Sequence, residues 1–376
     1  MKIFTITCHD VYNYGASLQA YALQTYLISL GHECHIIDYK PDYLNRNYNF
    51  WFIEKNNRFY SLCKKFVVFH FLYAVRLAPL TFKTWGRIKP FNKFKKNYLL
   101  CTKRYTTLNE LKQFPPQGDA YIAGSDQIWN CNLPNGRDNA FFLDFGTSDI
   151  KRIAYAASLG ISYFPVEEIE RIKMLLSSFD SISVREASAA KVIESLNFPC
   201  STVCDPVLLL KKEQWIKIIP NKKPNKRYIL LYDIFEDDKS IRNAALKQSS
   251  ALGLPIYSIN DSHNCDYAKM NISNAGPIEF LWYINNAEFV ISNSFHATAF
   301  SVLFNKQFAT YYHKSNSSRM TDFLDCIGLS SNFNPVEISY VENWEDVNNK
   351  LEDLVINSKN FLNKALKTYE EKNFVC

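Results

Sequence analysis

Glycine is scarce in this chain, with eleven in 376 residues. That excludes collagen-like and low-complexity readings, and no internal repeat recurs at solenoid periods. Ten cysteines are present, but they are scattered singly and no C-x-x-C occurs. The N-terminus "MKIFTITCHD" has too short an apolar part for a secretory signal, and no small-residue cleavage site follows. Together these lacks predict free thiols in a reducing, cytosolic setting. The longest apolar run, Phe66 to Val75, is about half of a membrane span and holds His70; Arg76 and Pro79 close it. Acids are almost missing between Tyr43 and Tyr98, where Glu54 alone opposes twelve Lys and Arg. This stretch carries +11 and leaves −5 for the rest of a chain whose formal charge is +6.

Aromatics run through that basic stretch, as in "NFWFIEK" and "FHFLYAVRL". Two readings stand: a basic, aromatic surface that lies on anionic lipid, or aromatics in the core with lysines as a solvated face. Nucleic acid is not expected, because no recognised nucleic-acid module surrounds the patch. Cys8-His9 and Cys34-His35 invite a metal reading. Each cysteine falls on or beside a buried strand, where free Cys packs as a small hydrophobe, so no metal is expected.

What is there fits a soluble α/β protein of about two domains, 47% hydrophobic and 21% charged. Lys2 to Thr7 reads as a strand. Leu18, Ala22, Tyr26 and Leu30, with Leu23 and Leu27, form a helical stripe that Gly31 ends. "HECHIIDY" is the next strand, completing the unit of a parallel sheet. The pattern resumes at "DAYIAGSDQIW", "RIAYAASLG", the helix opened by Pro165, "SISVREASAAKVIESL" and "STVCDPVLLL". A linker at Pro220 to Lys226 then precedes a second set. This set comprises strand "YILLYDIF", helix Lys239 to Leu252, strand "PIYSIN", helix Pro277 to Asn285, strand Phe289 to Ile291, helix Ala297 to Phe304 and strand "QFATYY". A helix from Ser317 follows. The expected domains are therefore 1–219, with the insert at about 43–100, then 227–343, then a helical tail at 344–376. Two Rossmann-like halves would face a cleft.

In open parallel sheets ligands gather beyond the carboxyl ends of the strands, where helix N-termini attract anions. Four polar turns fall there: Asn13-Tyr14-Gly15, Gly124-Ser125-Asp126-Gln127, Val184-Arg185-Glu186, and Ser292-Asn293-Ser294-Phe295-His296. Jointly they predict an anion-binding cleft. His296 stands between a strand and a helix, where an imidazole can exchange a proton near neutral pH; a satisfied structural histidine is the plainer alternative.

The stretches "NYGASLQAYALQTYLISLGHECHIIDYKP", "AYIAGSDQIWN", "YAASLG", "SVREASAAKVI", "CDPVLLL" and "ISNSFHATAFSVLFNKQF" together resemble the polysaccharide pyruvyltransferases. The resemblance spans both halves in order and matches the basic insert least. It implies a two-domain fold similar to the GT-B glycosyltransferases and transfer of the enolpyruvyl unit of phosphoenolpyruvate onto a sugar, forming a pyruvate ketal in capsule or exopolysaccharide synthesis. Carried onto this chain, the histidine of the family's S-x-R-x-H motif is His296, with Ser292 at its start, and the arginine after the central strand is Arg185. The motif's own arginine falls on Ser294, so Arg319 or Lys314 is expected to replace it.

In this scheme His296 is the acid that protonates the methylene carbon, and Arg185 grips the carboxylate or phosphate through its planar fork. Arg185 could equally form a salt bridge to a nearby acid. Asp126 is either the base for a sugar hydroxyl or the cap of the next helix. Asn13 and Gly15 shape the cleft, Ser125 and Gln127 line it, and Gln19 follows one helical turn on. No cofactor is expected beyond the donor, and no DxD-like carboxylate pair asks for a metal. The partners expected are phosphoenolpyruvate, a glycan acceptor carried on lipid, and the inner membrane face through 43–98. The competing functions are a GT-B glycosyltransferase using a nucleotide sugar and a non-catalytic glycan-binding scaffold.

Overall fold

Strands buried on both faces carry near-continuous apolar side chains, and "AYIA", "ILLY" and "FVIS" do so here with every residue buried. In the computed structural model, which describes residues 1–45, 60–234, 239–260, 264–311 and 317–367, these strands belong to two parallel sheets. The first holds β1 (Lys2–Ile6), β2 (Glu33–Tyr39), β3 (Cys101–Tyr105), β4 (Ala120–Ala123), β5 (Lys151–Ala157), β6 (Ser181–Val184) and β7 (Ser201–Thr202). Its order is β3-β2-β1-β4-β5-β6-β7. The second holds β8 (Ile229–Tyr232), β9 (Ile256–Ile259), β10 (Met270–Ile272), β11 (Phe289–Ser292) and β12 (Gln307–Thr310), in the order β10-β9-β8-β11-β12. Both are doubly wound. The strand order reverses between β1 and β4 in one sheet and between β8 and β11 in the other, and such switch points open crevices at the strands' carboxyl ends.

Helix α1 (Tyr14–Ser29) starts where the Asn13 side chain accepts the Ala16 N–H at 3.1 Å. It ends before Gly31, whose φ of +88° is the left-handed conformation that glycine tolerates best. The same helix reaches the second half: the Tyr14 ring stacks on Phe280 at 4.4 Å, and its hydroxyl donates to the Ala275 carbonyl.

The basic stretch divides in two. Helix α2 (Val67–Tyr98) runs for 32 residues, through Pro79, where the apolar run was expected to close. Its C-terminal part is core: Phe91 and Phe94 are buried, and the buried Arg87 lies over the Tyr14 ring at 4.4 Å. Lys95 reaches Asp10 and Asp38, each at 2.8 Å. The N-terminal part is unlike this. Val67 is 80% exposed and Val68 68%, with Phe69, Phe71, Leu72 and Val75 also open. Among the described residues no helix is long and apolar enough to cross a membrane.

Beside Lys95, the ligand atoms of His9, Asp10 and Asp38 lie within 4.8 Å of one another, close enough for a metal ion. Their chemistry fits an ionic network better. Lys40 and Arg104 complete it, so every oxygen of Asp10 and Asp38 has a cationic partner. Burial raises both carboxyl pKa values, but the lysines and His9 outweigh it and hold both below the ordinary 3.8. Cys8 and Cys34 are buried, as expected of packed thiols.

Five more helices position the site: α3 (Ala187–Ser195), α4 (Pro277–Asn286), α5 (Phe295–Leu303), α6 (Ser317–Cys326) and α7 (Trp344–Lys367). Over its described part the expected tail is helix α7. Helix α7 returns to the first sheet, where the Ser358 hydroxyl accepts the Cys204 N–H at 2.8 Å and Phe361 meets Tyr155. Residues 368–376 of that tail lie outside the described residues.

Candidate active site

A cavity of 1020 Å³ opens between the two switch points. The segments that follow β1, β4, β8 and β11 all contribute to its wall, through Asn13 and Gly15, Asp126 and Gln127, Ile234, and Asn293 to His296. Arg319 of α6 joins them. Three of the four turns singled out in the sequence therefore meet at one opening.

His296 sits inside helix α5, not before it. The expected start at Ala297 moves back two residues because Ser294 is the cap: its hydroxyl accepts the Ala297 N–H at 3.4 Å, and its carbonyl accepts the Thr298 N–H at 3.0 Å. The residue at the family's arginine position thus caps a helix and touches the cavity. Ser292 lies behind, donating to the Tyr232 carbonyl and accepting the Ser294 N–H.

The His296 ring lies flat against the backbone of α1. A Cβ built on Gly15 would fall 2.0 Å from Nδ1 of His296, so only glycine fits. On the other edge, Nε2 is buried 3.6 Å from Oδ2 of Asp205. Asp205 follows β7 and is fully buried. Its Oδ2 also receives Nη1 of Arg185 at 2.5 Å and the Ser125 hydroxyl at 3.3 Å, while Oδ1 accepts the Val207 N–H at 3.0 Å. Burial raises the Asp205 carboxyl pKa; His296 and Arg185 outweigh it and hold it far below the usual range.

Arg185 therefore stands behind the imidazole and forms no part of the cavity wall. Its guanidinium is stacked over Phe295 at 4.5 Å and lies 3.6 Å from Glu186. Burial lowers its pKa, but Asp205 and Glu186 raise it further, so it stays charged. Arg319 is the guanidinium on the wall. Burial and the neighbouring Arg185 push its pKa down to about 10, still protonated near neutral pH. Its Nε lies 3.9 Å from Glu186, and the Gln127 amide, turned to suit its surroundings, accepts from both terminal nitrogens at 3.2 and 3.1 Å.

Asp126 lines the cavity with φ +72°, and its Oδ1 accepts the adjacent Gln127 N–H. A short turn follows it, not the expected helix. Ser125 and Gln19 are structural: the Ser125 hydroxyl donates to the Ala156 carbonyl, and Gln19 accepts the Ser125 N–H. Lys314 lies outside the described residues. Sequence reasoning left out Asp205 and gave no role of its own to Glu186, which accepts the Ser158 hydroxyl. The signal for Asp205 was present, since "CDP" closes the last strand of the first sheet just as the other polar turns close theirs.

A model of the family described as Polysaccharide pyruvyl transferase matches residues 13–315. The chain belongs to this family and is a transferase, and the family's acceptors are polysaccharides. No curated protein matches it. Among solved structures, it is similar to a Staphylococcus aureus MnaA–UDP complex, with 12% identity, 94% of this chain and 88% of that chain covered, and a TM-score of 0.49. It is also similar to a putative UDP-N-acetylglucosamine 2-epimerase from Listeria monocytogenes, with 8% identity, 97% and 90% covered and a TM-score of 0.48. For Escherichia coli ADP-heptose lipopolysaccharide heptosyltransferase II the values are 9%, 96%, 100% and 0.40.

Proposed function

We propose that this protein moves the enolpyruvyl unit of phosphoenolpyruvate onto a sugar of a lipid-linked polysaccharide repeat unit and closes a pyruvate ketal. The observation that carries the reading is the meeting of His296, Arg319 and the N-termini of α1 and α5 at one cavity between two switch points. Two helix N-termini and a guanidinium suit a small dianion with a carboxylate and a phosphate. Arg319 supplies the clamp that the family places at the position of Ser294, and Arg185 supports the imidazole from behind.

His296 gives a proton to the methylene carbon, whose π pair forms the new C–H bond, and positive charge develops at C2. A sugar hydroxyl adds at C2 and loses its proton to Asp126, which also lines the cavity. A second hydroxyl then attacks C2, the C2–O bond to phosphate breaks, the departing phosphate takes that hydroxyl's proton, and the ketal closes. The scheme requires no cofactor. Incubation with phosphoenolpyruvate and lipid-linked oligosaccharides is expected to release phosphate and add the mass of one pyruvate ketal. Thermal protection by nucleotide sugars but not by phosphoenolpyruvate would instead identify a glycosyltransferase.

The exposed apolar start of α2 suits the interface of an anionic bilayer. Large apolar side chains at Val67, Val68, Phe69, Phe71 and Leu72 are flanked by the exposed Lys65, in a stretch with almost no acids. The protein is expected to float with anionic vesicles at low salt and not with neutral ones. Val68→Glu combined with Phe71→Glu should abolish flotation, and failure of the parent to bind anionic vesicles at low salt rejects the surface.

A further inference from the structure

Two edges of the His296 imidazole meet different surroundings. Nε2 is enclosed and faces Oδ2 of Asp205 at 3.6 Å, with no hydrogen-bond partner among the described residues. Nδ1 is the ring nitrogen nearer Gly15, and both residues line the cavity. Asp205 cannot swing away. Arg185 holds the same oxygen at 2.5 Å, Ser125 approaches it at 3.3 Å, and the Val207 N–H fixes the other at 3.0 Å. The carboxylate stays ionised, since its neighbours outweigh its burial. A separation of 3.6 Å is longer than a hydrogen bond. Contacts of this kind are often long in unliganded sites and tighten with substrate.

We propose that Asp205 is a positioning residue that keeps a proton on Nε2 of His296, so that Nδ1, at Gly15, is the atom that exchanges a proton with substrate. The chemical step rests on the pyruvyl-transfer reading. The Nδ1–H bond breaks and its electron pair stays on nitrogen. The donor's C=C π pair takes the proton, and the positive charge passes from the imidazolium to C2. The neutral ring left behind keeps its remaining proton on Nε2, against the carboxylate. Arg185 acts through Asp205: it fixes the carboxylate and never meets the donor.

The test is the tautomer of His296, read by 15N-edited NMR on the full chain and assigned against His296→Gln. The neutral ring is expected to carry its proton on Nε2, with Nδ1 bare. Asp205→Asn should redistribute the tautomers and lower kcat for ketal formation on the order of 10²-fold, with KM for phosphoenolpyruvate changed by less than about threefold. If Asp205→Asn does not fold, the tautomer of the parent ring decides alone. A parent ring protonated on Nδ1 overturns the proposal, as does Asp205→Asn with both tautomer and kcat unchanged. If no acceptor or donor is ever turned over, the functional reading falls, and the tautomer still decides whether Asp205 holds the Nε2 proton.

Discussion

His296 owes its place to two uncharged residues. Gly15 leaves room for the ring, and Ser294 caps the helix that presents it. The two arginines at the site differ in their surroundings. Arg185 is locked to Asp205 and shielded by Phe295, whereas Arg319 reaches the cavity. Replacing Arg319 with Met removes a charge-assisted contact to an anion, a loss of about 1.5–3 kcal/mol. Phosphoenolpyruvate should then bind on the order of tenfold to a hundredfold more weakly in calorimetry, and unchanged affinity would remove Arg319 from the donor site.

Among the elements, α6 and α7 do more than their positions in the chain suggest. Asp322 of α6 accepts the Ala187 N–H at 3.0 Å and so caps α3 in the first half from the second. Helix α7 returns to satisfy the Cys204 N–H with Ser358, next to Asp205. Ser358→Ala leaves that buried donor without its acceptor, which costs about 1–3 kcal/mol. The variant should melt several degrees lower, and because the lost bond is one residue from Asp205, activity should fall with it. Melting and activity both equal to the parent would show that the α7 contact does not support the site. Sequence reading found α1, β4, β8 and β11 because apolar periodicity and caps are local. It missed the 32-residue reach of α2, which continues past Pro79 to bury Phe91 and Phe94 against α1.

At the scale of the molecule, the switch points of both sheets face one cavity, and buried ion pairs sit around it. Asp10, Asp38 and Asp205 all have carboxyl pKa values below the ordinary 3.8 when folded. The unfolded chain therefore takes up protons first, so the stability these groups contribute is complete above that value and is lost as the pH falls through it and below. Thermal melts from pH 6 to about 3 should show a falling midpoint, and Asp38→Asn should flatten the decline. A midpoint that stays level would mean that these carboxylates are not stabilised in the fold.

The sequence by itself determined the two parallel sheets and the turns at their carboxyl ends. These follow from side-chain periodicity, capping and spacing along a few residues, whereas His296 was singled out by the resemblance of its motif to a family's. Only the tertiary structure decided that Arg185 pairs with Asp205, twenty positions on, and that Arg319 faces the cavity in its stead. It also decided that Gly15, 281 residues from His296 in the chain, is the surface on which the imidazole rests. A charge finds its partner through the packing of whole helices and strands, and no local pattern in a chain encodes which of several acids will lie within reach.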